Sequence, residues 1–463
     1  MLVFETIYTE GLAQISYLVG DSSAAVAAVI DPRRDIDIYL QLARTRSLRI
    51  AYVIETHIHA DFVSGAQALA ARTGAQIIGG RSDAYRFDLR QVSDGETLEL
   101  GQVKLEVLHS PGHTPEHISL KLFDSKQGDA PFALFTGDTL FNLDVGRPDL
   151  LGEGSERKLA GDLYHSLFDR YLPLGDRMEV YPCHGAGSAC GKAIGDRLHS
   201  TLGNERLFNP ALREDRSEAD FVDWLLADIP QPPRHYARLK ELNTRLADQM
   251  EGPALPPPLA PLDFQRIATE QQMQLVDCRS ILAFGGGHVP GALNIALRNE
   301  FVNWAGRMLD AARPILLIGE SATDIEQAVL QLYRIGLDDI RGYLRNGMTD
   351  WQNAALPLQY VPQWTVHELD ARRDETNIQV LDVRSPSEVA DGRVPGAQHL
   401  FIAHLGDRLN ELDPAKTTVT YCGSGYRASI AASLLKQAGL QDVVNVPGSW
   451  IAWTAAGLPI EKG

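Results

Sequence analysis

The sequence predicts an α/β multidomain protein: an N-terminal αββα sandwich followed by two copies of a smaller α/β domain. Three observations carry this prediction. Short β-rich segments alternate with helical patterns through the first half of the chain. Pro253, Pro256, Pro257, Pro258 and Pro261 then crowd one stretch, and beyond it two motifs recur at a single offset. With 463 residues the chain has room for about three domains.

In the first domain, 1–250, β-rich segments at 13–19, 24–30, 51–54 and 76–78 alternate with helical patterns at 36–44 and 64–73. That mixture places two sheets face to face with helices outside. Residues 218–250 read as mainly helical, broken at Pro230-Gln231-Pro232-Pro233, and are expected to pack on this domain and shape access to its site. The Pro-rich 251–262 is expected to be an extended linker, poor in contacts. After it, Val276-Asp277-Cys278-Arg279-Ser280 is matched by Leu381-Asp382-Val383-Arg384-Ser385, and Val289-Pro290-Gly291-Ala292 by Val394-Pro395-Gly396-Ala397. Both pairs lie 105 positions apart, which marks two copies of one domain, 263–357 and 364–463, not a short solenoid repeat. Each copy closes on Gly and Trp, in Gly347-Met348-Thr349-Asp350-Trp351 and Gly448-Ser449-Trp450.

Hydrophobic residues make up 44% of the chain and charged residues 22%, the balance of an ordinary soluble globular protein. A net charge of −17 argues against nucleic acid or an anionic membrane as a partner. No run of about 18 apolar residues is present, so no membrane span is expected. The start, Met1-Leu2-Val3-Phe4-Glu5-Thr6, has neither the basic start nor the apolar core of a signal peptide. Four cysteines are too few for a disulfide framework in so long a chain, and a reducing cytoplasm is the expected compartment.

Thr56-His57-Ile58-His59-Ala60-Asp61-Phe62 follows the apolar run 50–54. Two His and an Asp at i, i+2 and i+4 in a tight loop can converge on one cation, with the Phe62 ring where a last ligand could have stood. His113, in Gly112-His113-Thr114-Pro115, and Asp138, in Gly137-Asp138-Thr139, lie just past the apolar strands 105–108 and 132–135. A rigid sheet would present ligands from such loops. A structural zinc site would be closed by four protein ligands, usually with Cys among them. The cysteines here do not cluster around the motif.

These motifs resemble those of the metallo-β-lactamase superfamily: HxHxDH, a His in a GHTP turn, and an Asp in a GD turn. The full pattern holds two metals, and Phe62 replaces its last His. Within the superfamily the likeness points to the persulfide dioxygenases, through Gly137-Asp138-Thr139-Leu140-Phe141 and Gly146-Arg147-Pro148-Asp149-Leu150. It implies one Fe(II) per chain on His57, His113 and Asp138, with zinc as the alternative metal, and O2 as a substrate. Two imidazoles and one carboxylate leave about three of six octahedral positions open, which suits non-haem iron oxygen chemistry. His59 and Asp61 are then expected to fix the ligand imidazoles by hydrogen bonds. His184 is expected to face the substrate pocket, with Arg147 and Lys192 as further pocket parts. Cys190 lies in a Gly-rich loop resembling one in fused persulfide dioxygenase–sulfurtransferases. It is a candidate sulfur relay, with a packed loop thiol as the equal alternative.

Each C-terminal copy resembles a rhodanese domain, an α/β fold with a parallel sheet. Only the second copy has the C-x4-R loop, Cys422-Gly423-Ser424-Gly425-Tyr426-Arg427, between a strand at 417–421 and a helix at 428–438. Curling at a helix N-terminus, Gly423, Ser424, Gly425 and Tyr426 are expected to aim backbone N–H groups inward as a cradle for an anionic persulfide. The same field favours a thiolate at Cys422, with Arg427 beside it. The first copy carries Gly319-Glu320-Ser321-Ala322-Thr323-Asp324 there, with neither Cys nor Arg, and is expected to be inactive. Its Cys278 reads as a buried structural residue.

Taken whole, the chain resembles the persulfide dioxygenases fused to sulfurtransferases. The resemblance implies oxidation of a low-molecular-weight persulfide, of glutathione or coenzyme A type, to sulfite. Cys422 would then transfer sulfur to form or use thiosulfate. Three other readings stay open: a glyoxalase-II-like thioester hydrolase with two metals, a β-lactamase, and a non-catalytic sulfur carrier or interaction protein. A homo-oligomer is compatible with each kind of enzyme.

Overall fold

The computed structural model describes residues 1–152, 154–227, 229–246 and 252–462. They fall into two compact units. One is Met1–Pro253 with Tyr333–Gly336, the other Ala254–Leu332 with Leu337–Gly463.

The first unit is built on two six-stranded sheets. One runs Leu2–Thr9, Gln14–Asp21, Val26–Ile30, Arg49–Ile54, Gln76–Gly80, Arg90–Val92, antiparallel over its first three strands and parallel thereafter. The other runs Ser200–Thr201, Glu179–Pro182, Ala133–Gly137, Ile118–Asp124, Val103–His109, Thr97–Leu100. Alternation along each strand decides what is buried where. Ile15, Tyr17 and Val19 face Leu105, Leu120 and Phe135 between the sheets. Leu18, Val29 and Val53 face outward onto Tyr39, Ala43 and Leu69 of the helices Asp37–Thr45 and Ala66–Thr73. Leu134 and Val180 do the same on the other side, against Leu163 and Phe221 of Glu156–His165 and Glu218–Leu226. Each such large apolar side chain contributes roughly 1.5–3 kcal/mol when fully buried. Near the site the sheets are also stitched by a polar bond, since the buried Tyr17 hydroxyl donates to the Pro182 carbonyl at 2.6 Å.

The helical region after 218 breaks at its prolines into Glu218–Leu226 and His235–Thr244; the end of that stretch, 247–250, and the first residue of the expected linker, 251, lie outside the described residues. The edge strand Leu2–Thr9 buries only Ile7 and Thr9, and no sequence segment announces it.

In the second unit both sheets are parallel. The first copy orders its strands Pro258–Leu259, Ile340–Leu344, Ile315–Ile318, Gln274–Asp277, Leu293–Asn294, and the second Gln398–His399, Ile378–Asp382, Thr417–Tyr421, Val443–Asn445. The expected linker ends differently from its reading: Pro258 and Leu259 pair with Tyr343 and Leu344, and Pro261 opens the helix Pro261–Glu270. Proline is tolerated at both places, an edge strand and a first helical turn, so a Pro-rich stretch does not exclude structure.

The repeated D-x-R motif has one physical role in both copies. Arg279 forks onto Asp277 and donates to the Gly287 carbonyl at 2.9 Å, and Arg384 forks onto Asp382 and donates to the Gly392 carbonyl at 2.7 Å. A buried ion pair thus ties the end of a central strand to the turn that precedes V-P-G-A.

Candidate metal centre and sulfur-transfer loop

The metal-type residues gather at the C-terminal ends of strands in the first unit. His57 follows Arg49–Ile54, His113 follows Val103–His109, Asp138 follows Ala133–Gly137, and His184 follows Glu179–Pro182. Gly137 sits at φ +49°, and a Cβ there would lie 2.4 Å from His117 Nε2 and 2.8 Å from Thr56 Oγ1, so only glycine turns the chain this close to the site.

His57, His113 and Asp138 are all buried and offer ligand atoms within 4.8 Å of one another. Asp138 Oδ2 lies 3.7 Å from His57 Nε2 and 3.5 Å from His113 Nε2. The other ring nitrogens are occupied. Thr56 donates its hydroxyl to Asp31 Oδ2, so it accepts from His57 Nδ1 at 2.9 Å, and His113 Nδ1 donates to the Arg147 carbonyl at 2.8 Å. Both rings therefore turn an Nε2 lone pair toward Asp138. Burial, with His59 nearby, holds His57 well below the usual imidazole range, and burial lowers His113 too, so both are neutral as ligands must be. His57 Nε2 and Asp138 Oδ2 have no hydrogen-bond partner among the described residues. Buried polar atoms left open in this way are costly, and a cation between them resolves the cost. The donor set fits a metal.

Around the triad the side chains are tied to one another. His184 bridges two carboxylates, Nδ1 to Asp138 Oδ1 at 2.8 Å and Nε2 to Asp61 Oδ2 at 2.7 Å. Burial opposes its charge, but Asp138 and Asp61 raise it well above the usual range. His59 donates instead to Asp31 at 3.1 Å; burial is outweighed by Asp31, Glu55 and Asp61, which raise it to about 9. Neither His59 nor Asp61 hydrogen-bonds a ligand imidazole. His59 lies against the faces of its neighbours, its centroid 4.2 Å from His57 and 4.4 Å from Phe62, because Asp31 draws its Nε2 away. Asp61 acts on Asp138 through His184. Asp61 Oδ1 and His59 Nδ1 are also without partners among the described residues.

His184, expected to face the substrate pocket, spends both ring nitrogens on this carboxylate pair. The Arg147 side chain is forked onto Asp149 at 2.7 Å and donates to the Ala189 and Pro230 carbonyls, while its own carbonyl serves His113. Lys192 lies with its ammonium over the Trp224 ring. Cys190 is buried beside Asp61 and His184, in an apolar cluster with Ala60, Phe141 and Tyr236. Burial, then Asp61 and Asp138, push its thiol well above the usual range.

Three supporting residues carry no sequence mark of their role. Asp31 accepts from the Thr56 amide at 2.7 Å and from its hydroxyl. His117, held down at about 3 by burial and by His113, accepts the Asp138 amide at 3.0 Å as a neutral ring. Asn243, on the helix His235–Thr244, donates to the His59 and Phe62 carbonyls and accepts from the Ser64 amide, which pins the metal loop from outside the motif.

In the second unit, Cys422 is buried at the end of Thr417–Tyr421, and the helix begins at Tyr426, two residues before its expected start. The Gly425 amide donates to Cys422 Sγ at 3.1 Å. Arg427 forks onto Glu388 at 2.6 Å on both oxygens, a partner the sequence did not single out. Burial opposes ionisation of Glu388, but Arg427 holds its carboxyl down at about 2. The closing Gly-Ser-Trp segment braces the loop: Ser449 Oγ accepts from the Cys422 amide, and the Trp450 amide donates to the Cys422 carbonyl. Tyr426 turns its side chain out of the loop, its hydroxyl donating to the Ala296 carbonyl, so only its backbone can serve a cradle. In the first copy Ile318 and Asp277 pair as Tyr421 and Asp382 do in the second, which aligns Gly319 with Cys422 and Asp324 with Arg427. There Asp324 Oδ2 accepts from the Ser321 amide at 3.0 Å, and the Asp324 amide donates to Ser321 Oγ. A carboxylate of the chain itself satisfies the turn.

Residues 11–184 match the metallo-beta-lactamase superfamily, and residues 261–354 and 365–456 each match the rhodanese-like domain. The mitochondrial persulfide dioxygenase ETHE1 of Homo sapiens is 32% identical over 203 residues, 42% of this chain and 70% of that protein. The chain belongs to the metallo-β-lactamase superfamily. A hydroxyacylglutathione hydrolase of Polaromonas sp. (strain JS666) is 30% identical over 279 residues, 53% of this chain and all of that protein. The crystal structure of a metallo-beta-lactamase from Staphylococcus aureus subsp. aureus COL matches with a TM-score of 0.67 at 35% identity, covering 74% of this chain and 99% of that one. This superfamily member therefore joins the metallo-β-lactamase fold to two rhodanese-like domains in one chain.

Proposed function

We propose that the first domain holds one Fe(II) on His57, His113 and Asp138 and oxidises the terminal sulfur of a low-molecular-weight persulfide with O2, while Cys422 carries sulfane sulfur to or from sulfite. The chain is an enzyme of persulfide dioxygenase and sulfurtransferase type. The balance is RSSH + O2 + H2O giving RSH, sulfite and two protons. In the transfer half, Cys422 attacks the outer sulfur of a persulfide, an S–S bond forms at Cys422 and the carrier leaves as thiolate. Sulfite then takes that sulfur, giving thiosulfate and restoring Cys422.

The observation that carries the one-metal reading is the state of the residues that would serve a second ion. His184 already spends both ring nitrogens on Asp61 and Asp138, and Phe62 is a buried ring beside His59. A ferrous ion on the remaining triad supplies open coordination positions and redox capacity for O2 and a sulfur substrate. The chain's own residues do the rest. Thr56 and the Arg147 carbonyl orient the two imidazoles, and His184 holds the outer oxygen of Asp138 so that one oxygen faces the site. Ala60, Phe141, Cys190 and Tyr236 make an apolar wall that limits water and suits a soft sulfur group. Cys190 fits this wall as a protonated thiol, since a relay role requires the loss of a proton that burial and two carboxylates retain. The carrier thiol, of glutathione or coenzyme A type, is part of the proposal, as is a reducing cytoplasm suited to four free cysteines.

The test is elemental analysis of the full chain combined with oxygen uptake on glutathione persulfide and coenzyme A persulfide. About one iron per chain, with uptake and sulfite release, is expected. Two zinc ions per chain with thioester hydrolysis and no oxygen uptake would establish the hydrolase instead, and metal without any turnover would leave a carrier protein.

A further inference from the structure

The loop of the first rhodanese copy holds neither cysteine nor arginine, yet this copy still spends buried polar residues on the second. Asn294 ends the strand Leu293–Asn294 and is fully buried. Its Nδ2 donates to the Asp277 and Arg279 carbonyls of its own copy at 3.0 and 3.1 Å. Its Oδ1 accepts from the Ser429 hydroxyl at 2.6 Å, and its amide donates to Ser433 Oγ at 3.1 Å. Ser429 and Ser433 lie on the helix Tyr426–Gln437, whose N-terminus carries the Cys422 loop. Tyr426, three residues before Ser429 on the same face, donates its hydroxyl to the Ala296 carbonyl at 2.8 Å.

The loop itself is held from the same side. Gly425 sits at φ +96° with its amide on Cys422 Sγ, and a Cβ there would lie 3.2 Å from Ile281 Cδ1 of the first copy and 3.0 Å from Pro447 Cα of the second. The residue whose N–H meets the sulfur is therefore packed between the copies, and the next residue is anchored to the first.

We propose that the first copy is the rear half of the sulfur-transfer site, with Asn294 and the Ala296 carbonyl as positioning groups that fix the Cys422 loop through Ser429 and Tyr426. The chemistry stays with the second copy; the first supplies rigidity where a loop of two glycines and a serine has little of its own. Hydrogen-bond donors act on a charged sulfur only when held in place beforehand. The bonds are also internally complete, because every polar atom of the Asn294 carboxamide is used, so the strand cannot shift without leaving buried groups unpaired. The inference rests on Cys422 being the transferring thiol, and the experiment separates the two claims.

The assay is sulfur transfer from thiosulfate to cyanide by the full chain, with the pH profile of iodoacetamide alkylation at Cys422 as a second readout. Cys422→Ser must abolish transfer, or the reading of the site itself fails. With that established, Asn294→Ala and the milder Tyr426→Phe are each expected to lower kcat by about tenfold, the scale of loss that follows from a displaced reacting group. The alkylation midpoint should move to higher pH, and oxygen uptake should be unchanged. Arg341→Ala, an exposed change elsewhere in the first copy, should leave transfer at the parent rate. The inference is overturned if both variants transfer within twofold of the parent. It is equally overturned if their losses track a lowered unfolding midpoint with no change in the alkylation profile. Should Asn294→Ala fail to fold, Tyr426→Phe alone decides.

Discussion

Asp138 divides its two oxygens between two tasks, one turned to His57 and His113 and the other held by a charged His184. Its replacement by Ala should abolish iron binding and oxygen uptake while leaving thiosulfate-to-cyanide transfer intact, as elemental analysis and the two assays will read. Thr56 is a subtler case. Thr56→Val keeps the shape but leaves His57 Nδ1 without its acceptor, so iron affinity should fall roughly 10- to 100-fold in a chelator competition. The ligand-type residues were legible in the sequence because histidine and aspartate in such turns have few other uses. Asp31, Thr56 and His117 were not, because they act through other side chains at distances no spacing rule encodes. His59 was misread for a related reason: a ligand lies two residues before it in sequence, but its stronger partner, Asp31, lies just past the distant strand Val26–Ile30.

Among the elements, the helix His235–Thr244 shows how far a site depends on segments outside its motifs. Asn243→Ala removes three hydrogen bonds to the metal loop, leaving partly buried backbone groups unpaired, at a cost of roughly 2 kcal/mol or more. Denaturant unfolding should show that loss, and iron should be held less tightly. The Arg427–Glu388 fork makes a prediction about pH. Because the Glu388 carboxyl lies at about 2 in the folded chain, below its ordinary value, its stabilising contribution is present above the ordinary carboxylate range and disappears as pH falls toward 2. Parent and Glu388→Gln should therefore differ in urea midpoint at neutral pH and converge on acidification. The sequence yielded the strands and helices with strong periodicity, such as Asp37–Thr45 and Ala66–Thr73. It yielded poorly those whose form depends on a partner, above all Pro258–Leu259, which is a strand only because Tyr343 and Leu344 lie beside it.

For the molecule as a whole, the two activities belong to different domains and should separate cleanly. Cys422→Ser is expected to end sulfur transfer and to spare oxygen consumption; equal loss of both would contradict the division of labour. The first rhodanese copy should stay silent when given a thiol. In a Cys422→Ser chain, Gly319→Cys should restore no transfer, because Asp324 occupies the place of Arg427 and raises the energy of any anion there. The two-copy organisation could be read directly, since a single offset of 105 places linked two motifs. What one copy does for the other could not, since it depends on contacts between segments more than a hundred residues apart, such as Asn294 with Ser429.

All four cysteines are free and buried. For an enzyme bathed in reactive sulfur this is a form of insulation. Persulfides exchange with any accessible thiolate, so an exposed surface cysteine would become a sink, accumulating sulfur atoms that no acceptor collects. Cys183, Cys190 and Cys278 are each pushed toward the protonated thiol by burial first and by neighbouring carboxylates second, which takes away both access and nucleophilicity. Cys422, equally shielded by area, differs in having an amide aimed at its sulfur and an arginine beside it. Loading the native chain with excess thiosulfate should accordingly stop near one sulfane sulfur per molecule, and titration of the unfolded chain should find the other three thiols unmodified.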